Sequence, residues 1–163
     1  MNIVLIGMSG AGKSTLGALL AKALGMDFVD TDIVIQRQEG RLLQAIIDND
    51  GIERFLEIEE TTVSDLQLNH CVVSTGGSVV YSEKAMNALK RGGRVIYLHV
   101  PYEEIQRRLT QIATRGIVMK QGSSLREVYE ERVPLYTKYG DFVLDCSDKS
   151  IEQCVGELVK VIK

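Results

Sequence analysis

Residues 2–15 read NIVLIGMSGAGKST, an apolar run that ends in glycines and leads into a lysine and two hydroxyl residues. Gly7 to Ser14 match the complete G-x-x-x-x-G-K-[ST] pattern, in which the backbone N–H groups of a glycine-rich turn surround nucleotide phosphates. We expect Lys13 to reach the β- and γ-phosphates and Ser14 to bind Mg²⁺ through its hydroxyl. The stretch therefore predicts a phosphate-binding turn that takes ATP with Mg²⁺.

The residues on either side of this turn supply the context that the motif requires. The apolar residues 2–6 predict a buried strand, and residues 13–24 predict a helix with Leu16 and Leu20 on one face. The positive end of that helix favours bound anions. The alternative is a glycine-rich turn without a ligand, but the full motif between a strand and a helix favours nucleotide binding.

Composition limits the kinds of protein that the chain can be. Its 163 residues, 45% of them hydrophobic, predict one domain over residues 1–163 with a sizeable core. A net charge of −3 argues against nucleic acid as a partner. The first apolar run is too short for a membrane span and lacks the features of a signal peptide. We expect a cytoplasmic monomer whose three cysteines, Cys71, Cys146 and Cys154, are buried free thiols.

Short apolar runs alternate with amphipathic stretches along the whole chain. Strands are predicted at residues 2–6, 27–30, 71–74, 94–98 and 142–144. Helices are predicted at residues 13–24, 32–49 (with a break near Gly40), 52–68, 82–91, 101–112, 125–139 and 151–162. This alternation predicts an α/β fold in which helices cover both faces of a parallel sheet, with ligands at the carboxyl ends of the strands.

Two carboxylates follow the second predicted strand. If the segment stays extended, Asp30 and Asp32 project to the same side. One could anchor the hydration shell of Mg²⁺ while the other orients or deprotonates an acceptor hydroxyl. The alternative is that one of them only caps the N-terminus of the following helix.

Glycines and arginines extend the predicted site. Gly76 and Gly77 follow the third strand, where a substrate could approach the backbone closely, although a plain turn would also explain them. Arg115 lies in a predicted mobile loop, a lid over approximately residues 112–124. An arginine that closes over the site would stabilise the charge of a transferred phosphoryl group. For Arg108 and Arg132 a solvated helix face is the default interpretation.

Taken together, the chain resembles the shikimate kinase family over essentially its whole length. The resemblance rests on GMSGAGKST at residues 7–15, DTD at 30–32, GIERFLEIEE at 51–60, TGGS at 75–78, Arg115, and RVPLY at 132–136. It implies a nucleoside monophosphate kinase-like P-loop fold: three α/β/α layers, a five-stranded parallel sheet in the order 2-3-1-4-5, and a lid loop.

The resemblance also implies a role for each matching residue. The residues implied to bind ATP are Gly10, Ala11, Gly12, Lys13, Ser14, Thr15 and Arg108, the last near the adenine together with residues 147–150. Ser14 and Asp30 would serve the metal, while Lys13, Asp32 and Arg115 would be catalytic. The acceptor would contact Asp32, Gly76, Gly77, Arg132 and position 56.

Three positions depart from the family pattern. Leu56 stands where the family usually has an arginine that binds the carboxylate of shikimate, and Ser78 stands at its third glycine. The usual R-P-L-L of the lid reads RGIV at residues 115–118. Shikimate remains the first candidate acceptor if Arg132 or Lys120 compensates. The alternatives are a kinase of another small hydroxy acid, polyol or amino acid, and a nucleotide-binding regulatory module without phosphoryl transfer.

Overall fold

The computed structural model describes residues 1–110 and 116–163 of the chain. Its five strands form one sheet in which every neighbouring pair is parallel, in the order β2-β3-β1-β4-β5. The implied strand order is therefore confirmed. The strands are β1 (Asn2–Ile6), β2 (Asp27–Asp30), β3 (Cys71–Ser74), β4 (Gly93–His99) and β5 (Phe142–Asp145).

Eight α-helices accompany the sheet within the described ranges. They are α1 (Lys13–Leu24), α2 (Thr31–Glu39), α3 (Leu43–Asp50), α4 (Ile52–Asp65), α5 (Glu83–Gly92), α6 (Tyr102–Thr110), α7 (Leu125–Tyr139) and α8 (Ile151–Ile162). The prediction of α4 was three residues too long, because the backbone becomes extended at Leu66. A short 3₁₀ turn at Val79–Tyr81 was not predicted.

The central strands are apolar because helices cover both faces of the sheet. All residues of β1 and β3 are buried, as expected for parallel strands inside an α/β protein. Helix α1 packs against α8, and α4 packs against α5. Each of the three cysteines is a buried free thiol, which confirms that prediction.

A second, smaller hydrophobic cluster lies apart from the main core. Its buried members are Ile35, Leu43, Ile46, Phe55, Ile58 and Val118. They come from α2, α3, α4 and the segment after residue 115. This cluster fixes three helices beside the carboxyl ends of the strands.

The register of the sheet brings three separate sequence segments to one edge. Ser74, the last residue of β3, pairs with Leu5 of β1 on one side and with Asp30 of β2 on the other. The phosphate loop, the acidic pair and the glycine pair leave the sheet from these three strands. In the described part of the chain, no helix is long and apolar enough to cross a membrane.

Candidate active site

The phosphate loop has the backbone that its glycines allow. Gly12 directly precedes α1 and has a φ of +92°, in the left-handed region that favours glycine. A Cβ at Gly7 would lie 2.8 Å from the carbonyl oxygen of Leu98, so only glycine fits where β1 gives way to the loop. The N-terminus of α1 thus opens into the concave side of the loop, as an anion site requires.

Lys13 reaches back over this loop. Its Nζ donates to the carbonyl oxygens of Gly7 and Met8, each at 2.7 Å, and the side chain is buried. The ammonium group is therefore held by the loop that it belongs to. This places a positive charge beside the ring of backbone amides.

Ser14 and Asp30 form the part of the site that suits a metal. The Ser14 hydroxyl donates to Asp30 Oδ2 at 2.6 Å and lies 3.3 Å from the hydroxyl of Ser74. No cluster of three His, Cys, Asp or Glu side chains suited to a metal occurs within residues 1–110 and 116–163. One carboxylate and nearby hydroxyl oxygens fit Mg²⁺, which retains waters and shares phosphate oxygens.

Of the two alternatives for Asp30 and Asp32, an extended segment or a helix cap, the structure shows the cap. Helix α2 begins at Thr31, and Asp30 caps it by accepting from the backbone N–H groups of Asp32 at 3.0 Å and Ile33 at 3.4 Å. Asp32 is therefore the second residue of a helix. The capping role of Asp30 exists alongside its contact with Ser14, because its two oxygens face different partners.

The glycine pair packs against charged side chains. A Cβ at Gly76 would lie 2.7 Å from Glu59 Oε2 and 2.8 Å from Asp32 Oδ1. A Cβ at Gly77 would lie 2.9 Å from Arg132 Nη1. Two carboxyl groups and a guanidinium therefore surround this turn so closely that a larger residue would have to displace them.

Arg132 is a buried cation whose guanidinium donates hydrogen bonds to polar groups around it. Only 1% of the residue is exposed, so the solvated helix face that was its default interpretation is wrong. Its Nη2 donates to the carbonyl oxygen of Val118 at 2.7 Å, and its Nε donates to the Tyr81 hydroxyl at 3.2 Å. One turn later on α7, the Tyr136 hydroxyl donates to the Gly77 carbonyl oxygen at 2.6 Å.

Glu59 is a functional candidate that the sequence analysis missed. It is 2% exposed, and its Oε1 accepts from the Ser78 hydroxyl at 2.7 Å. Its Oε2 has no hydrogen-bond partner among the described residues. Burial raises the pKa of Glu59 to about 7, opposed by the Ser78 hydrogen bond and assisted by the charge of Asp32. The sequence feature that could have identified Glu59 is a carboxylate on the apolar face of a predicted helix.

One cavity of about 550 Å³ unites the two halves of the site. Its walls include the predicted residues Gly10, Gly12, Lys13, Ser14, Thr15, Asp32, Gly76 and Gly77. They also include unpredicted ones, Ser9, Gln36, Leu42, Leu43, Gln44, Thr75 and Gly116. The predicted convergence at the carboxyl ends of the strands is confirmed.

Not every predicted site residue lines this cavity, and the roles predicted for Leu56, Arg108 and Arg115 stay predictions. Leu56 packs against the second hydrophobic cluster. Arg108 donates to the Gly10 carbonyl oxygen at 3.0 Å and to Glu104 at 2.9 Å, so its side chain is held against the phosphate loop. Arg115 and the other lid residues up to it lie outside the described residues, while Gly116 lies against Leu43.

A parallel sheet in this order, a lysine-bearing phosphate loop and a carboxylate pocket in the same cavity define a P-loop kinase of small molecules. The family model described as shikimate kinase matches residues 9–163. The chain belongs to the shikimate kinase family, whose activity is ATP-dependent phosphoryl transfer.

Individual relatives agree with this assignment. The shikimate kinase of Vibrio vulnificus strain YJ016 is 36% identical over 167 residues, which cover 99% of this chain and 96% of the relative. That of Haemophilus influenzae strain PittEE is 36% identical over 166 residues, covering 99% and 92%. Shikimate kinase from Acinetobacter baumannii, solved in complex with shikimate, superposes with a TM-score of 0.91 at 28% identity, covering 99% and 92% of the two chains.

Proposed function

We propose that this chain transfers the γ-phosphoryl group of ATP to a hydroxyl of shikimate and forms shikimate 3-phosphate, a step of aromatic amino acid biosynthesis. The observation that carries the proposal is the single cavity in which the phosphate loop faces the pocket of Asp32, Gly76 and Gly77. The Acinetobacter baumannii relative, whose structure contains shikimate, supports this choice of acceptor.

The nucleotide side of the cavity would bind and orient the phosphates. The backbone amides of Gly10, Ala11, Gly12 and Thr15 would surround them, and the Lys13 ammonium would exchange its carbonyl partners for the β- and γ-phosphate oxygens. Ser14 and Asp30 would hold Mg²⁺, whose charge offsets the negative charge of the transferred group.

The acceptor side would position a hydroxyl and a carboxylate. Asp32 would hold the hydroxyl and accept its proton, because its carboxylate lies within the same cavity as the loop. Arg132 Nη1, close above Gly77, would pair with the carboxylate of the acceptor. Catalysis would consist mainly of this positioning, since phosphoryl transfer needs little covalent chemistry from the protein.

We add expectations about the lid, the nucleotide side and the protein as a whole. Arg115 would close over the transferred phosphoryl group from the lid, and Arg108 would support the nucleotide from its position against the loop. We expect the protein to act as a cytoplasmic monomer. With a net charge of −3, we expect no nucleic acid partner.

A second acceptor class is favoured by one observation. Leu56 places an apolar side chain at a position where an arginine would add a positive charge near the pocket. An acceptor without a carboxylate, such as a polyol, would not need that charge.

ADP formation with ATP and Mg²⁺ should be measured with shikimate and, in parallel, with a panel of polyols, hydroxy acids and hydroxy amino acids. We expect the highest kcat/KM for shikimate. A higher value for another acceptor would replace shikimate with that compound. Binding of ATP without turnover of any acceptor would instead support a regulatory nucleotide-binding module.

A further inference from the structure

Glu59 is buried with unequal hydrogen bonding at its two oxygens. The Ser78 hydroxyl occupies Oε1, while Oε2 lacks a partner within the described residues and lies against Gly76. A carboxylate in this position is costly, because burial without full hydrogen bonding disfavours the charged form. The carboxyl group can reduce that cost by taking up a proton.

Charged groups from three helices face this carboxyl. Asp32 of α2 favours its protonated form, while Lys13 of α1 and Arg132 of α7 favour its charged form. The buried phenol of Tyr136, also on α7, lies near enough to interact. Burial is the largest influence and outweighs the Ser78 hydrogen bond and the two cations, so it raises the pKa of Glu59 to about 7.

Position 56 lies one helical turn before Glu59 on α4, a spacing at which side chains are neighbours. An arginine at position 56 could therefore pair with the Glu59 carboxylate and hold it charged. Leu56 supplies no charge and packs into the second hydrophobic cluster. Glu59 instead receives a hydrogen bond from the neutral hydroxyl of Ser78.

We propose that Ser78 is a positioning residue for Glu59: its hydroxyl holds Oε1 and leaves Oε2 against Gly76 of the acceptor pocket, while Leu56 supplies no cation, so that the affinity for an anionic acceptor depends on whether this carboxyl carries a proton. The proposal rests on the proposed function, because it assumes an acceptor with a carboxylate. Ser78 orients Oε1, and the exchangeable proton resides on Oε2 beside the acceptor pocket.

The direction of the pH effect follows from charge. The protonated form of Glu59 is neutral and leaves the positive charge of Arg132 available to the acceptor, whereas the ionised form adds a second negative charge beside Asp32. Affinity for shikimate should therefore fall as the pH rises through the pKa of Glu59. If the ionised form binds negligibly, binding at pH 8 should be about tenfold weaker than at pH 6.

Two substitutions should move this midpoint in opposite directions. Ser78→Ala removes a hydrogen bond that stabilises the charged form, so the midpoint should rise. Leu56→Arg adds a cation one turn away, so the midpoint should fall. If Ser78 only stabilised the fold, Ser78→Ala would not raise the midpoint of Glu59 in the direction opposite to Leu56→Arg. Ser82→Ala is the matched control, since Ser82 donates to the adjacent Glu60 outside the cavity and should leave the midpoint unchanged.

The ionisation of Glu59 should be followed by NMR of isotope-labelled glutamate carboxyl carbons in the protein alone, with the signal assigned by its loss in Glu59→Gln. A midpoint near neutrality that shifts as described supports the proposal. A midpoint near that of an ordinary glutamate, or one that Ser78→Ala leaves unchanged, would overturn it. This titration needs no acceptor, so its failure is distinct from a failure of shikimate to be phosphorylated.

Shikimate binding should then be measured by calorimetry without nucleotide, because nucleotide phosphates also titrate in this range. The expected result is the loss of affinity from pH 6 to pH 8 in the native protein and a smaller loss in Leu56→Arg. Affinity that stays constant over this range while Glu59 titrates would contradict the link between its proton and acceptor binding.

Discussion

The nucleotide side and the acceptor side of the cavity are built in different ways. The nucleotide side comes from consecutive residues of one loop, held largely by backbone geometry at Gly7 and Gly12 and by the reach of Lys13 to two carbonyl oxygens. The acceptor side is assembled from side chains of α2, α4 and α7 around the turn at Gly76.

This difference fits two of the three departures from the family pattern. The loop keeps the complete motif, because its glycines and lysine are constrained by the backbone shape that binds phosphates. Leu56 and Ser78 both fall on the acceptor side, where one side chain can replace another without deforming the backbone. We infer that acceptor preference and its pH dependence can change while nucleotide binding stays constant.

The largest effect should come from removing the cation of the nucleotide side. Lys13→Ala should lower kcat by about 10³-fold with every acceptor, because the developing charge on the phosphoryl group loses a positioned donor. Lys22→Ala, at an exposed position of the same helix, is the matched control and should retain activity. Steady-state kinetics with saturating shikimate measure both, and an unchanged kcat in Lys13→Ala would contradict the role of the loop.

The next effect should appear on the acceptor side alone. Gly76→Ala would place a methyl group within 3 Å of oxygens of Glu59 and Asp32 and push both away. We expect kcat/KM for shikimate to fall about 10²-fold, with the Kd for ADP unchanged. Gly156→Ala, where a Cβ meets nothing within 4 Å, is the control and should have no effect on activity.

If the nucleotide side and the acceptor side depended on each other, Gly76→Ala would weaken nucleotide binding as much as acceptor use. Calorimetry with ADP and Mg²⁺ separates the cases for Gly76→Ala. A large loss of nucleotide affinity in this variant, with the fold intact by circular dichroism, would show that the two sides are not independent.

A substitution on the acceptor side should also produce a gain of function. At pH 8, where Glu59 of the native protein is ionised as well, Leu56→Arg should improve kcat/KM for shikimate about tenfold, because a charge-assisted hydrogen bond to the carboxylate would be added. Thr61→Arg adds the same charge at an exposed position of α4 and should leave the kinetics unchanged. Equal or poorer shikimate kinetics in Leu56→Arg would mean that the missing cation does not limit acceptor use.

The smallest effect should come from the arginine held against the loop. Arg108→Ala removes the hydrogen bond to the Gly10 carbonyl oxygen, so the KM for ATP should rise about fivefold. Arg107 pairs with the same Glu104 but is more exposed, with 61% of its side chain accessible, so Arg107→Ala is the control. If both variants raise the KM equally, the contact with Gly10 is irrelevant to ATP binding.

The sequence predicted the fold and the nucleotide side well because their determinants are local. Apolar runs identified the five strands, and the loop motif identified its ligand class without knowledge of the tertiary structure. The helix α7 was predicted over its full length although Pro134 lies inside it. Its apolar periodicity outweighed the single proline.

The acceptor side could not be predicted in the same way because its contacts are distant along the chain. Glu59 meets Ser78, nineteen residues later, and Arg132 meets the carbonyl oxygen of Val118. The sequence left open whether Asp30 and Asp32 share an extended segment, and the structure shows instead that Asp30 caps a helix that starts at Thr31. Glu59 lies on the apolar face of a predicted helix, but its role could be interpreted only once the fold showed which groups surround it.

Phosphoryl transfer from the phosphate loop to a hydroxyl held at Asp32 can be followed by phosphorus NMR of a reaction with ATP, Mg²⁺ and shikimate. We expect the γ-phosphate signal to disappear while signals of ADP and of a new phosphate monoester appear in equal amounts. Unchanged ATP, or ADP with inorganic phosphate and no ester, would contradict it.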